Sequence, residues 1–409
     1  MPNSVLIKRN SIVGGSTHEL PSSKSLSNRA LILNALSGNQ SVVRNLSAAR
    51  DTQLMQRLIN LPDKVIDAMD AGTTMRFLTA YFAATGKNKI LTGTDRMKQR
   101  PIKLLVDALR EIGASIQYLE NEGFPPTEIK GFEKQNVNSV TLPGDVSSQY
   151  ISALMMIAPV LPEGLNIHLQ GKIGSRPYIE MTATLMGEFG VVPKFDGNVI
   201  SVPHADYKVT SYTVESDWSA ASYWFAVVAL AEQATITLPV ISEKSLQGDR
   251  VTVELMEKLG VKTSFSKNSA ELTKKINQSS IEWNFTDCPD LAQTALPVCA
   301  AKGISGTFTG MESLRIKETD RIAALQTELA KIGAQLTEAA GVWKLVPAMK
   351  LRVGDKISIS TYHDHRMAMG FAPLATLFDV EIEAQDVVNK SYPGFWKDLK
   401  SVGFEITSL

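Results

Sequence analysis

The sequence predicts an α/β fold of two domains, each made of three copies of a βαβαββ-like unit of roughly 70 residues. Two interleaved series of helices and the strands between them predict it. The first series is apolar on nearly every face: ALILNAL (30–36), MRFLTAYFAA (75–84), YISALMMIAPVL (150–161), AASYWFAVVALA (220–231), LAQTALPVCAA (291–301) and MAMGFAPLATLF (367–378). Such helices are buried. A small polar or acidic residue of the N-cap type precedes each: Ser23/Ser25, Asp70/Thr73, Ser147/Ser148, Asp217/Ser219, Asp290 and Asp364. From Ser25 through Thr73, Ser148, Asp217 and Asp290 to Asp364 the steps are 48, 75, 69, 73 and 74 residues.

The second series is amphipathic and ends in an apolar–Gly signature: VDALREIGA, ATLMGEFGV, VELMEKLGV, TELAKIGAQ and KDLKSVGFE. Their glycines, Gly113, Gly190, Gly260, Gly333 and Gly403, step by 77, 70, 73 and 70 residues. Glycine accepts the left-handed conformation that stops a helix. Between the helices run β-branched, alternating stretches such as SVTL, NVISV, ATITL, KISIST and VEIEA, which read as strands. Two series sharing one step make six units, three to a domain. The first unit is shortened: its amphipathic helix, at about residues 51–60, leads through LPDKVIDAM almost directly to the second buried helix.

Composition narrows the function. A chain of 409 residues exceeds what one core usually supports. Lys+Arg and Asp+Glu are equal at 42 each, which argues against a nucleic acid or membrane surface held by bulk charge. Cys288 and Cys299 suggest neither a disulfide framework nor a metal site. MPNSVLIKRN lacks the apolar run of a signal peptide, and apolar runs such as 151–161 and 220–231 are too short to span a bilayer. A cytoplasmic location is the default expectation.

Any anion site must come from local clustering. Helix N-termini favour negative charge, and cations gather near these helix starts: Lys24 and Arg29; Arg96, Lys98 and Arg100; Arg315, Lys317 and Arg321; Arg366; and Lys390. One such arginine is ordinarily a solvated flank; five clusters at recurring helix starts point to a shared polyanion site. Glu318 and Asp290 stand among them, as salt-bridge partners or as acid–base groups. His363 and His365 flank Asp364, but no third ligand has zinc spacing, and helix capping and active-site hydrogen bonding fit the HDH better. GGST (14–17) is not a phosphate-binding P-loop. No metal and no cofactor is expected.

The motifs KSLSNRA, DAGTTMR, RMKQRPI, SSQYISALM, SRPYIE, LQGD, RIKETDRI, YHDHRMAM and NKSYP follow one another from Lys24 to Pro393. In these the chain resembles the 5-enolpyruvylshikimate-3-phosphate (EPSP) synthase family of enolpyruvyl transferases. The resemblance implies the two-domain enolpyruvyl-transferase fold, with helix N-termini facing an interdomain cleft. The chain would cross between domains near Leu20 and Ser216, giving domains of 20–216 and of 1–19 with 217–409. It implies a monomer of the shikimate pathway, which leads to chorismate and the aromatic amino acids. The substrates implied are phosphoenolpyruvate and shikimate 3-phosphate, joined by addition and elimination through a tetrahedral intermediate. Lys24, Gly72, Arg100, Gln149, Arg321, Arg366 and Lys390 would hold phosphoenolpyruvate. Ser25, Arg29, Ser147, Ser148, Gln149, Ser175, Tyr178, Asp290, Ser313 and Lys317 would hold shikimate 3-phosphate. Glu318 and Asp290, assisted by Lys24, are the acid–base candidates. Three positions depart from the family pattern: Asp70 stands for a usual Asn, Phe77 for a common Pro and Ser313 for a frequent Asn. Gly72 is kept, and its missing side chain would leave room for glyphosate, the family's inhibitor.

The nearest alternative is the UDP-N-acetylglucosamine enolpyruvyl transferase family, with the same fold and donor. It has a Lys-Asn pair where this chain has KSLSNR, with no counterpart of Arg29, and usually a catalytic Cys where Asp95 stands here. A non-catalytic anion-binding protein on the same fold would have lost its acid–base groups, yet Lys24, Asp290, Glu318 and Lys390 are present. A related enzyme acting on nucleic-acid ends would want a histidine nucleophile and a basic surface, and neither is evident.

Overall fold

The computed structural model describes residues 3–18, 20–351, 354 and 356–409. The chain divides into two units, Ser23–Val214 and Met1–Ser22 with Glu215–Leu409. Glu19, the last residue of the expected first segment, lies outside the described residues, as do Met1 and Pro2.

The unit Ser23–Val214 holds α1 (Lys24–Leu36), α2 (Arg50–Leu58), α3 (Gly72–Ala84), α4 (Lys103–Ile112), α5 (Ser148–Ile157) and α6 (Arg176–Glu188). The apolar helices α1, α3 and α5 are buried over most of their length and pack on one another. α4 buries only the stripe Leu105, Val106, Ala108, Leu109 and Ile112, as an amphipathic helix does over a core. The other unit holds α7 (Trp218–Leu230), α8 (Thr252–Lys258), α9 (Ala292–Lys302), α10 (Arg321–Lys331), α11 (His365–Phe371) and α12 (Phe395–Ser401). There α7, α9 and α11 form the buried trio. Gly113, Gly190, Gly260, Gly333 and Gly403 all have positive φ, between 84° and 125°, where a side chain would strain the helix stop.

Among the described residues the strands make six sheets, five of them four-stranded. Those five share one order: a parallel pair, then two antiparallel neighbours. Val65–Asp67 runs parallel to Lys89–Thr92 across the crossover helix α3, and Thr127–Phe132 and Ala114–Tyr118 follow as a hairpin after α4. The order recurs around α5 and α6, α7 and α8, α9 and α10, and α11 and α12. In the last sheet one strand comes from the other end of the chain: Val5–Ile7 lies between Asp379–Ile382 and Ile406–Ser408.

The sixth sheet is only the parallel pair Val42–Arg44 with Ser211–Thr213. After α2 the chain passes from Leu61 to Lys64 and enters Val65–Asp67 with no hairpin. Carbonyls left without a strand partner need another donor. Lys89 supplies it: its buried ammonium donates to the carbonyls of Leu61, Pro62 and Asp63 at 2.8, 2.9 and 2.6 Å.

Two apolar helices are shorter than their sequences suggest. α5 tightens into a 3-10 turn at Ala158–Val160 and α11 into another at Ala372–Thr376. Pro159 and Pro373, at the starts of these turns, cannot donate the next helical hydrogen bond.

Candidate active site

In the unit Ser23–Val214 the candidate residues sit at the starts of the buried helices. Ser23 caps α1 by accepting the Leu26 N–H at 3.4 Å. Lys24, the first helical residue, places Nζ 3.3 Å from the buried carboxylate of Asp51 on α2. The Asp51 carbonyl accepts from Thr74 Oγ1 of α3 at 3.5 Å, and Thr73 Oγ1 accepts from Gln149 Nε2 of α5 at 3.0 Å. Ser147 caps α5 through the Gln149 N–H at 3.4 Å, with Ser148 as its first residue. One chain of contacts thus joins Lys24, the start of α3, Gln149 and Ser147.

Gly72 opens α3 because two guanidiniums crowd it. A Cβ there would lie 2.7 Å from Nη2 of Arg100 and 2.7 Å from Nη1 of Arg76. Arg100 donates to the Asp70 carbonyl at 3.5 Å. Arg76 donates to the carbonyls of Gly72 at 2.9 Å and Pro101 at 3.4 Å and lies over the Tyr150 ring. The Asp70 carboxylate turns to Arg50, 2.7 Å away, so the charge added at this departure has a counter-ion.

Arg29 lies behind the first turn of α1. It is 2% exposed, and donates to Thr182 Oγ1 at 2.6 Å, the Ser25 carbonyl at 3.0 Å and Ser152 Oγ at 3.1 Å. Burial pushes its guanidinium down to about 10. Ser175 precedes α6 in a left-handed conformation, and its carbonyl accepts the Tyr178 N–H at 3.0 Å; both side chains are half-buried.

In the other unit the centre is Arg321, the first residue of α10 and 2% exposed. Its Nε donates to Asp364 at 2.7 Å, Nη1 to Asp290 at 2.7 Å and Nη2 to Glu318 at 2.7 Å. Burial opposes its charge, but the three carboxylates win and hold it protonated above the ordinary arginine range. Arg366 of α11 reaches the second Asp290 oxygen at 2.9 Å, Ser219 Oγ at 3.3 Å and the Tyr223 hydroxyl at 3.5 Å. Burial favours a neutral Asp290, yet Arg366, Arg321 and Lys317 overcome it and hold the carboxyl well below its ordinary range. Lys390, buried, stands 3.8 Å from Glu318. Lys317, half-buried, acts on Asp290 through its charge, and Ser313 is half-buried in the 3-10 turn Glu312–Ile316.

The structure separates the cations that sequence had grouped. Arg96 is exposed, Lys98 pairs with Glu120, and Arg315 pairs with Asp320 and Glu338. The expected caps also divide. Ser23, Ser147, Asp217 and Asp364 cap their helices, whereas α3 and α9 begin without a side-chain cap. Asp290, spared from capping, spends its carboxylate on two arginines. Sequence reasoning missed Arg76, Asp51 and Asp249. Arg76 could have been found, four residues after Gly72 in DAGTTMR, on the same helix face. Asp249, from LQGD, accepts from Ser219; burial pushes its carboxyl up to about 6, with Asp290 adding to the rise. Among the described residues no group of His, Cys, Asp and Glu is placed to hold a metal, and no helix is long and apolar enough to cross a membrane.

Repeated βαβαββ units whose buried helices start among guanidinium, ammonium and carboxylate groups define a protein built to bind small anions. A family model described as EPSP synthase (3-phosphoshikimate 1-carboxyvinyltransferase) matches residues 12–61 and 56–399. The chain is 47% identical over 395 residues to a 3-phosphoshikimate 1-carboxyvinyltransferase of Bacteroides fragilis strain YCH46, covering 95% of this chain and 96% of the relative. It is 35% identical over 413 residues to the enzyme so named from Idiomarina loihiensis, covering 93% and 95%. The chain belongs to the EPSP synthase family. An EPSP synthase structure from Acinetobacter baumannii shares the fold over 100% of both chains, with a TM-score of 0.76 at 20% identity.

Proposed function

We propose that the chain transfers the enolpyruvyl group of phosphoenolpyruvate to the 5-hydroxyl of shikimate 3-phosphate and releases phosphate; its relatives are named 3-phosphoshikimate 1-carboxyvinyltransferases. The observation that carries the reading is the Arg321–Arg366 pair, bridged by Asp290 and flanked by Glu318 and Lys390. Its charges match a donor with phosphate and carboxylate ends.

In the addition step the 5-hydroxyl oxygen bonds C2 of phosphoenolpyruvate, the hydroxyl proton leaves to a base, and C3 takes a proton to become a methyl group. In the elimination step a methyl proton leaves, the C2=C3 bond re-forms, and phosphate departs with the C2–O electron pair. Each step needs one acid and one base. Asp290 and Glu318, with Lys24, are assigned these roles as a coupled group. Arg321 donates to both carboxylates and shares its one charge between them and Asp364. A donor anion that takes a share of Arg321 weakens its hold on Glu318, and a carboxylate whose guanidinium partner is drawn away holds a proton more readily. Donor binding would thereby prepare the acid.

Phosphoenolpyruvate is assigned to Lys24, Gly72, Arg100, Gln149, Arg321, Arg366 and Lys390. Shikimate 3-phosphate is assigned to Ser25, Ser147, Ser148, Gln149, Ser175, Tyr178, Asp290, Ser313 and Lys317, with Arg29 setting the Ser25 carbonyl from behind. Clustered cations stabilise the charge on the departing phosphate. The test is phosphate release, expected only when both substrates are present. Release with UDP-N-acetylglucosamine in place of shikimate 3-phosphate would transfer the chain to the sister activity.

A further inference from the structure

The arginines of the candidate site are held by a segment whose backbone is strained. Thr361–Asp364 is a tight turn: the Asp364 N–H donates to the Thr361 carbonyl at 2.8 Å. Its two central residues, Tyr362 and His363, have φ of 53° and 57°. Positive φ at both central positions is the conformation that Asn-Gly favours, and large L-residues adopt it against a steric penalty. Something outside the turn must hold it.

One face of α10 does so. Arg321, Glu328 and Lys331 lie seven and then three residues apart, which aligns them along the helix. Arg321 takes Asp364 at 2.7 Å. Glu328, fully buried, accepts the Tyr362 hydroxyl on Oε1 at 2.8 Å and the Ser360 N–H on Oε2 at 3.3 Å. Lys331 donates to the Ser358 carbonyl at 2.9 Å and neutralises Glu328 at 2.6 Å. The helix and the segment 358–364 therefore run antiparallel, joined rung by rung. The last rung carries the chemistry: Asp364 both grips Arg321 and caps α11, whose second residue is Arg366.

We infer that Glu328 and Tyr362 are a positioning pair for anion binding: the Tyr362 hydroxyl on buried Glu328 holds the strained turn that sets Arg321 and Arg366 to one spacing. The inference rests on the reading of those arginines as phosphoenolpyruvate ligands. Neither Glu328 nor Tyr362 touches substrate in this scheme. They act by keeping Asp364 where it serves both arginines at once.

Tyr362→Phe removes one hydroxyl and leaves the ring. It is expected to raise KM for phosphoenolpyruvate roughly 10-fold, the scale of one hydrogen bond to a charged group. KM for shikimate 3-phosphate should stay within about 2-fold, because that substrate is assigned mainly to other elements. Glu328→Gln keeps an oxygen for the tyrosine but turns an amide NH2 on the Ser360 N–H and Lys331, so it should lose part of the donor affinity, while Glu328→Ala should lose at least as much as Tyr362→Phe. A Tyr362→Phe protein that melts normally with an unchanged KM for phosphoenolpyruvate, or with both KM values raised equally, overturns the inference. Wild-type protein that released no phosphate would sink the functional reading alone. Calorimetric titration with phosphoenolpyruvate would then decide the inference, binding being about 10-fold weaker in Tyr362→Phe if it holds and equal if it fails.

Discussion

Replacing Gly72 with alanine puts a methyl carbon 2.7 Å from the nearest guanidinium nitrogens of Arg100 and Arg76. Non-bonded heavy atoms settle nearer 3.5 Å, so the guanidiniums must retreat by about 0.8 Å. The backbone of Gly72 is the first helical residue of α3 and tolerates alanine, so the cost falls on the two arginines rather than on the fold. Arg76 is tied to the Gly72 and Pro101 carbonyls, and its movement pulls on the start of α3. Arg100 is the assigned donor ligand. A charge-assisted hydrogen bond is worth about 1.5–3 kcal/mol, and a shift of that size forfeits most of one such bond. Gly72→Ala is therefore expected to raise KM for phosphoenolpyruvate roughly 10- to 100-fold, since about 1.4 kcal/mol is a factor of ten. Turnover and KM for shikimate 3-phosphate should change little. The assay is initial-rate phosphate release against phosphoenolpyruvate at saturating shikimate 3-phosphate. A KM for phosphoenolpyruvate within 2-fold of the parent, in a protein of normal melting temperature, would refute the crowding argument.

Three other outcomes follow from the ion clusters. Glu318→Gln should lower turnover by on the order of 100-fold or more with modest changes in KM, as for a lost acid–base group; near-normal turnover would remove Glu318 from the mechanism. Asp249 has a folded value near 6, above the unfolded value of about 3.9, so its ionised form opposes folding above about pH 6 and the penalty disappears as pH falls toward 4. Asp249→Asn should accordingly stabilise the protein by on the order of 2–3 kcal/mol near pH 8 and hardly at all near pH 4, read from denaturant melts; equal stabilisation at both would contradict the burial argument. Arg50→Ala removes the guanidinium that pairs with the Asp70 carboxylate and should raise KM for phosphoenolpyruvate roughly 3-fold or more, through the negative charge left less balanced beside Arg100. In an Asp70→Asn background the same change should have little effect, and an undiminished one would separate Arg50 from Asp70.

Much of the fold was legible because its signals are periodic. Buried helices announce themselves by being apolar on every face, and Gly113 or Gly260 stops its helix at the expected place because only a residue free to take positive φ fits. Element lengths were less legible. Pro159 and Pro373 sit inside apolar runs, and hydrophobicity does not record a missing N–H. At the candidate site, sequence proximity grouped cations that three dimensions separate. Arg315 and Arg321 are six residues apart, yet one turns to Glu338 at the surface and the other is enclosed by three carboxylates. Asp290 looked like a helix cap, and its use as a bridge depends on Arg321 and Arg366, distant in the chain. Partners such as Glu328 for Tyr362 carry no local signal, since their pairing exists only once α10 lies along the 358–364 segment.

The strand Val5–Ile7 has a consequence for how the protein is made. Its neighbours in the sheet, Asp379–Ile382 and Ile406–Ser408, leave the ribosome only after the long stretch of chain that separates them from it. At roughly 5–20 residues per second, this strand waits on the order of 20–80 s for its partners. The unit Ser23–Val214 has its own core and is fully synthesised well before then. For that interval the emerging chain carries a bare, aliphatic Val-Leu-Ile edge ahead of a domain that can already fold. Aggregation during biosynthesis, rather than instability of the finished enzyme, is the hazard this topology creates.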